Sequence, residues 1–237
     1  MAGAIADLAG LEGVPSAFAA ARDAIDVVLR DRGLRRTSPE TTGESLLRGA
    51  YASAVLEGST STLEQVRAGD GDPLARASLR LSTELLSLAP LLRQSPLQAL
   101  ARIHAVVSAG GPTDQAGRPR DPEAAARLRG LGALLVDPAS EPALLLAAVV
   151  HAELHTAAAF ASHNGLVARA AERLVLVSRG LDEKSLVVPE AGHLALRAAY
   201  ESNLRGFRDG GRPGVHGWLL YAAEAYTQAA AASPLAG

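Results

Sequence analysis

The sequence predicts an all-α protein. Helix start and stop signals recur along the 237 residues, and one long apolar segment near the middle fits a buried central helix. The β-like run at 186–188 is too short to build a sheet. These three observations favour a helical bundle built around one core.

The N-terminal half is punctuated by residues that start helices. Ser16 fits an N-cap, and residues 61–64 have the pattern of a capping box. Asp72-Pro73 and Ser95-Pro96 each place a proline in a first helical turn, where its missing N–H costs nothing. We therefore predict helices over residues 16–32 (ended by Gly33), 44–57, a short segment from 61, 72–89 and 95–109.

The C-terminal half contains the predicted core. Residues 140–160 are apolar on nearly every face, as expected for a helix surrounded by others. A break at 161–164 follows, and glycine at 180 ends the next helix. The predicted helices are 122–135, 140–160, 165–179, 189–207 and 215–232.

Composition excludes several classes of function. A net charge of -2 argues against a nucleic-acid binder, and the absence of cysteine rules out disulfides and thiolate metal sites. The apolar stretch 142–160 contains His151, Glu153 and His155, which a membrane span rarely tolerates. With no basic leader at its start, the chain is expected to be cytoplasmic, with no membrane and no nucleic-acid partner.

Two pairs of residues that contain histidine are candidate chemical sites. His151 and His155 lie four residues apart on one helical face, a spacing that can bind zinc, but Ala152 stands where a metalloprotease has glutamate. Core or interface packing is favoured, and no metal site is predicted. Glu190 and His193 form a second pair, for which a surface or packing role is favoured.

The predicted C-terminal helix carries three large aromatic residues. Trp218, Tyr221 and Tyr226 either form an interaction face, in a homodimer for example, or pack into the core, which we favour.

The break between the two core helices has the features of an anion seat. Asn164 and Gly165 tolerate turn conformations, and the next helix presents free backbone N–H groups at its start. Arg169, one turn inside that helix, can reach back to a phosphate. The alternative is a plain helix–helix corner, and the segment alone leaves both interpretations open.

A polar loop over residues 110–121 is the clearest irregular segment, with three glycines and two prolines. It is either a simple connector, which is favoured, or a flap beside a pocket.

These residues resemble the Fic (Fido) family, whose motif His-x-Phe-x-Asp/Glu-Gly-Asn-Gly-Arg-x-x-Arg lies between two central helices. Phe160, Asn164, Gly165 and Arg169 match it. The resemblance covers roughly residues 44–207. It implies an all-α Fic-like bundle with a short flap, AMP transfer from ATP to a target hydroxyl, and docking of a protein target at loop 110–121.

A second family element lies upstream. Many Fic proteins carry an inhibitory helix with Ser/Thr-x-x-x-Glu-Gly/Asn, and Ser53, Glu57 and Gly58 match it. The resemblance implies that Glu57 pairs with Arg169 and obstructs the phosphate seat, which gives these three residues a regulatory role.

The catalytic positions depart from the family pattern. Ala158 replaces the histidine that acts as general base, and a methyl group cannot accept a proton. Ser162 replaces the acidic Mg²⁺ ligand, His163 replaces the first glycine, and Leu166 replaces the first arginine. No catalytic residue is therefore assigned.

The leading hypothesis is a degenerate Fic-like protein, without ordinary AMP transfer, that binds a nucleotide such as ATP or another phosphate ligand. The ligand-binding residues are predicted to be Ser162, His163, Asn164, Gly165 and Arg169, within the turn 161–169. One alternative is an active nucleotidyl or phosphoryl transferase that uses His155 or His163. Another is a non-catalytic interaction module. The predicted organisation is an N-terminal helical extension (1–43), a Fic-like core (44–207) and a C-terminal helix packed on the core (208–237).

Overall fold

The computed structural model describes residues 2–31, 38–111, 114–137 and 142–236. Within these ranges the chain is helical and contains no strand, which confirms the all-α prediction. No helix of the described part has the length and apolar character needed to cross a bilayer. The helices are α1 (Ala2–Ala9), α2 (Val14–Asp31), α3 (Pro39–Leu56), α4 (Leu63–Ala68), α5 (Pro73–Glu84), α6 (Ala89–Gln94), α7 (Pro96–Val107), α8 (Pro122–Val136), α9 (Ala143–Ala157), α10 (Asn164–Ser178), α11 (Pro189–Ala195), α12 (Arg197–Asp209) and α13 (Gly211–Ala231).

Helices α9 and α10 form the centre of the molecule. Nearly every residue of both is buried, as the all-round apolar pattern of α9 predicts. Helix α3 packs on α5 and α11, and α13 packs on α2, α11 and α12. The turn between α9 and α10 therefore joins two helices that are closely packed by their neighbours.

Several predicted helix starts are present at the atomic level. The Asp72 carboxylate accepts a hydrogen bond from the Ala75 N–H at 3.0 Å, and Asp121 caps α8 in the same way through Ala124 at 2.7 Å. Each cap satisfies a backbone donor that the first turn leaves free.

Other boundaries differ from the sequence predictions. Helix α3 begins at Pro39 rather than at residue 44, because Pro39 suits a first turn as well as the later residues do. The capping box is formed by Thr62 and Gln65, one residue later than predicted. Pro90 lies in the first turn of α6 and does not terminate the structure, since a 3₁₀ helix (Leu85–Leu88) joins α5 to α6.

The predicted helix 189–207 is divided at Leu196 into α11 and α12, and α1 was not predicted. The predicted start at Ser140 and Glu141, and the predicted stop at Gly33, lie outside the described residues.

The aromatic residues of α13 face inward. Trp218 and Tyr226 are fully buried and Tyr221 is 6% exposed, and the Trp218 indole N–H donates to the Ala148 carbonyl of α9 at 2.9 Å. These three aromatic residues therefore pack into the core, which is the alternative favoured from the sequence, and do not form an exposed interaction face.

Candidate functional site

The turn between α9 and α10 is built from two residues in left-handed conformation. Ala158 ends α9 with φ of 43°, and His163 precedes α10 with φ of 57°. The Asn164 side chain closes the turn, because its oxygen accepts from the Phe160 N–H and its amide donates to the Phe160 carbonyl, both at 2.9 Å. Asn164 therefore shapes the turn, and the first N–H groups of α10 lie at its open end.

The carboxylate of Glu57 lies beside the first turn of α10. The Glu57 side chain lies over Gly165, so that a Cβ atom added at position 165 would overlap it. Arg169 donates to the Glu57 carboxylate at 2.7 Å and to the Ser53 hydroxyl at 2.8 Å. The Arg169 side chain is 1% exposed and that of Glu57 is 23% exposed. The contact between Glu57 and Arg169 that the family resemblance implied is present.

Gly58 enables this arrangement at the end of α3. Its φ of 101° is open to glycine but strained for other residues, and it turns the chain away directly after Glu57. The segment after Gly58 is held in place by Asp72, whose carboxylate accepts a hydrogen bond from the Ser59 hydroxyl at 2.7 Å. The end of α3 thus places Glu57 over the turn.

The remaining predicted ligand-binding residues lie on the other side of the turn. Ser162 is exposed, and its hydroxyl is 2.8 Å from the His163 Nδ1. Both line a cleft of about 340 Å³ whose opposite wall includes Gly110 and Gln115 of the 110–121 loop. The structure therefore brings the loop, Ser162 and His163 together, whereas Glu57, Gly165 and Arg169 lie together at the predicted anion seat.

His104 anchors the loop and was not singled out in the sequence. Its ring stacks on Phe160 with centroids 4.3 Å apart, and its Nδ1 accepts from the Gly117 N–H at 2.9 Å. The Arg120 N–H donates to the Ala159 carbonyl at 2.9 Å. These contacts hold the described part of the loop against the turn.

A second cleft, of about 310 Å³, opens beside Arg169. Ala158 and His155 of α9 line it together with Tyr200 of α12. Burial and the nearby Arg169 charge lower the pKa of His155 to about 4, so its imidazole is neutral at neutral pH. Two arginines of α12, Arg205 and Arg208, add positive charge to the same wall.

Behind the seat lies a fully buried polar cluster that sequence analysis missed as a unit. Glu172 accepts from the His151 Nδ1 at 2.7 Å, from the His193 Nε2 at 3.0 Å and from the Tyr226 hydroxyl at 2.8 Å. Tyr221 lies 2.8 Å from the other nitrogen of His193. Glu190, which was paired with His193 in the sequence, instead binds Arg173 at 2.6 Å.

His151, Glu172 and His193 have the donor types of a metal site, and their ligand atoms lie within 4.8 Å of one another. The two shortest histidine–carboxylate distances have the length of hydrogen bonds to one oxygen. Tyrosine hydroxyls meet the outer nitrogens, so every polar atom of the cluster has a partner without an ion.

The cluster makes the fold sensitive to acid. Burial lowers the pKa of His151 to about 3, against the attraction of Glu172, whereas an unfolded histidine titrates near 6.5. Burial alone would raise the pKa of Glu172, but its two histidine neighbours hold it below its usual range. The unfolded state therefore binds more protons as the pH falls through 6.5 towards 3, and stability present above 6.5 is lost.

We expect the free energy of unfolding, measured by urea denaturation, to fall between about pH 7 and about pH 5, by roughly 1.4 kcal/mol per pH unit for each proton taken up. The His155→Asn variant should weaken this pH dependence by the contribution of about one proton, because the pKa of His155 is lowered as well. Equal stability at both pH values would contradict the lowered pKa values of His151 and His155.

Solved structures show the same fold. A Fic family protein from Desulfovibrio desulfuricans G20 superposes with a TM-score of 0.77 at 18% sequence identity, over 93% of this chain and 74% of that one. A fragment of C. elegans Fic-1 gives a TM-score of 0.68 at 19% identity, over 91% and 71% of the two chains. A glutamate-to-glycine variant of that fragment gives 0.68 at 18% identity, over 90% and 70%.

At the level of sequence, no protein-family model matches the chain, and no curated protein matches it either. The similarity therefore establishes the fold: this chain has the all-α fold of Fic family proteins.

Proposed function

We propose that this chain is a degenerate Fic-like protein that binds a nucleotide or another phosphate ligand at the turn 161–169 and lacks ordinary AMP transfer. The observation that carries the proposal is the Glu57 carboxylate over Gly165, bonded to Arg169 at 2.7 Å. The position of this carboxylate supports anion binding, because the Arg169 guanidinium that holds it also suits a phosphate and the start of α10 lies beside it.

The exchange of one anion for another is the proposed regulatory step. Arg169 is buried and its guanidinium is hydrogen-bonded to Glu57, so a ligand phosphate would bind it by taking the place of the Glu57 carboxylate. Glu57 is partly exposed, sits at the end of its helix and precedes a glycine, so its side chain can leave. Ser53, which holds Arg169 from α3, stays in place as the fixed part of the seat.

The transfer chemistry of the family has no support from the side chains in its positions. Ala158 offers a methyl group where a general base is needed. Ser162 offers a neutral hydroxyl that already contacts His163, a donor set that does not fit Mg²⁺. Leu166 is buried and apolar, so it cannot replace a charge that would stabilise a transferred phosphoryl group.

The test is calorimetric titration of the Glu57→Gly variant with ATP, ADP and inorganic phosphate, with and without Mg²⁺. We expect at least one ligand to bind about tenfold more tightly than to the unmodified protein, because the competing carboxylate is gone. The matched control is Glu64→Gly, which removes an exposed glutamate that contacts neither Arg169 nor Gly165.

Incubation of the same variant with α-labelled ATP tests the second half of the proposal. We expect no covalent label on the protein. Failure of Glu57→Gly to bind any of the three ligands would contradict the phosphate seat, and a label abolished by a substitution in the turn would contradict the loss of AMP transfer.

A second candidate function is a transferase with rearranged chemistry. His155 favours it, because its neutral ring lines the cleft that also contains Ala158 and Arg169, and no hydrogen-bond partner for it occurs among the described residues. His163 is the other candidate base, at the cleft beside the loop. In this case Glu57→Gly would be labelled by α-labelled ATP, and Glu57→Gly/His155→Ala would not. A protein target is then proposed to dock at loop 110–121, whose described part lines the His163 cleft.

A further inference from the structure

Arg169 faces two different environments. Its outer side meets Glu57, the only carboxylate that it contacts among the described residues. Its inner side meets the Tyr200 hydroxyl at 3.0 Å. When Glu57 leaves the seat, a fully buried guanidinium loses its direct counter-ion, a situation that strongly destabilises a folded protein unless another charge compensates it.

A chain of hydrogen bonds leads inward from Arg169, and its proton positions follow from the donor types. A guanidinium only donates, so the Tyr200 oxygen accepts a hydrogen bond from Arg169. The Tyr200 O–H then donates to the His151 Nε2, which lies 2.9 Å away. His151 then carries its proton on Nδ1 and donates it to Glu172 at 2.7 Å. In each of these hydrogen bonds the donor lies on the Arg169 side and the acceptor on the Glu172 side.

Glu172 is a buried carboxylate with no arginine or lysine in direct contact among the described residues. Its other donors, His193 and Tyr226, are a ring N–H and a hydroxyl. The neighbouring buried ion pair, Arg173 with Glu190, is complete in itself. Glu172 and Arg169 are thus two buried opposite charges joined end to end by His151 and Tyr200.

We propose that Glu172 is the permanent counter-ion of Arg169, acting through His151 and Tyr200, and that it keeps Arg169 in position as an anion clamp after Glu57 has left. Aligned hydrogen bonds polarise one another in a buried environment, so the chain turns the negative ends of its dipoles towards the guanidinium and stabilises its positive charge. Tyr200, His151 and Glu172 are therefore positioning residues of the seat. This deepens the proposed function, because it explains how the open seat stays formed.

The charge arrangement can be tested without any ligand, by a double-mutant cycle on stability. Glu57 and Glu172 do not contact each other, and substitutions at such separated sites normally have additive effects. We expect Glu57→Gln combined with Glu172→Gln to lower the folding equilibrium constant about tenfold more than the two single effects predict, because Arg169 then has no counter-charge. Tyr200→Phe, which cuts the chain but leaves Glu172 intact, should couple to Glu57→Gln in the same direction.

Tyr226→Phe is the matched control. It also removes one hydrogen bond from Glu172, but it lies off the path to Arg169, so its effect should add to that of Glu57→Gln. Additive effects of Glu172→Gln and Glu57→Gln would overturn the proposal, whatever Tyr200→Phe gives, because Tyr200 contacts Arg169 directly. If Glu172→Gln does not fold, the cycle of His151→Phe with Glu57→Gln decides, since this substitution interrupts the chain at a residue that does not contact Arg169. A stoichiometric metal ion bound by His151, Glu172 and His193 in the purified protein would also overturn it, since the ion would replace the proton on His151.

A ligand measurement separates this inference from the proposed function. In the Glu57→Gln background, Tyr200→Phe should weaken ATP or phosphate binding about tenfold, whereas Tyr226→Phe should leave it unchanged. If neither Glu57→Gln nor Glu57→Gly binds any of these ligands, the proposed function fails, and the stability coupling still decides whether Glu172 compensates Arg169. If Glu57→Gln binds and Tyr200→Phe has no effect, the inference fails alone.

Discussion

Glu190→Ala is expected to lower the free energy of unfolding by about 3–5 kcal/mol, because it leaves the buried Arg173 guanidinium without its directly bonded counter-ion. The Arg173 and Glu190 side chains are 2% and 6% exposed and lie 2.6 Å apart. They also fix the approach of α3, since a Cβ at Gly49 would lie 2.6 Å from an Arg173 nitrogen. Urea denaturation of the variant measures the effect.

The matched control for this prediction is a surface pair. Arg197 and Glu201 lie 3.0 Å apart with side chains about half exposed, and solvent screens such pairs. Glu201→Ala should therefore change stability by less than about 1 kcal/mol. If Glu190→Ala and Glu201→Ala lowered the free energy of unfolding by equally small amounts, the buried pair would be better solvated than its exposed fractions indicate.

Gly165→Ala is expected to close the phosphate seat. In the Glu57→Gly background the new methyl group would lie where the carboxylate was, directly over the start of α10, and ligand binding should weaken at least about tenfold. The nearest remaining atom is an Arg169 nitrogen at 3.1 Å, a tight contact that a small shift of the guanidinium would relieve, so the fold should be retained.

Titration of Glu57→Gly/Gly165→Ala with ATP and phosphate tests this second prediction. Gly130→Ala in α8 is the control, because a Cβ at that helical position meets nothing within 4 Å and should leave binding unchanged. Unchanged binding in Gly165→Ala would place the ligand elsewhere on the molecule.

The parts of the molecule that were predictable from sequence are those with local signals. Asp72 and Asp121 each precede a proline, and each caps a helix as its position indicates. The contact of Glu57 with Arg169 joins two short motifs, so a resemblance in each was enough to bring them together. The buried character of α9 follows directly from its apolar pattern.

The buried cluster was out of reach of the same reasoning. His151, Glu172 and His193 come from three helices, and no spacing along the chain connects them. The available signal was a pair of charged residues, Glu172 and Arg173, on a helix whose other positions are mostly apolar and buried. Such residues are rarely buried without partners, but the sequence does not say which helix supplies them.

The helix boundaries that failed did so for a related reason. The division at Leu196 has neither glycine nor proline at the break, so nothing local marks it. Pro90 looked like a stop but suits the first turn of the following helix equally well.

The position of Glu57, immediately after the last residue of α3, determines how fast its side chain can leave Arg169. The rest of α3 is secured from several sides, by the Ser53 contacts to Arg169 and by the Ser78 hydroxyl donating to the Ala50 carbonyl. Withdrawal of Glu57 therefore needs only fraying of the terminal turn beside Gly58, while the rest of the helix stays still. Helix ends fray within about a microsecond, so we expect fraying of this turn not to limit the proposed exchange of Glu57 for a phosphate ligand.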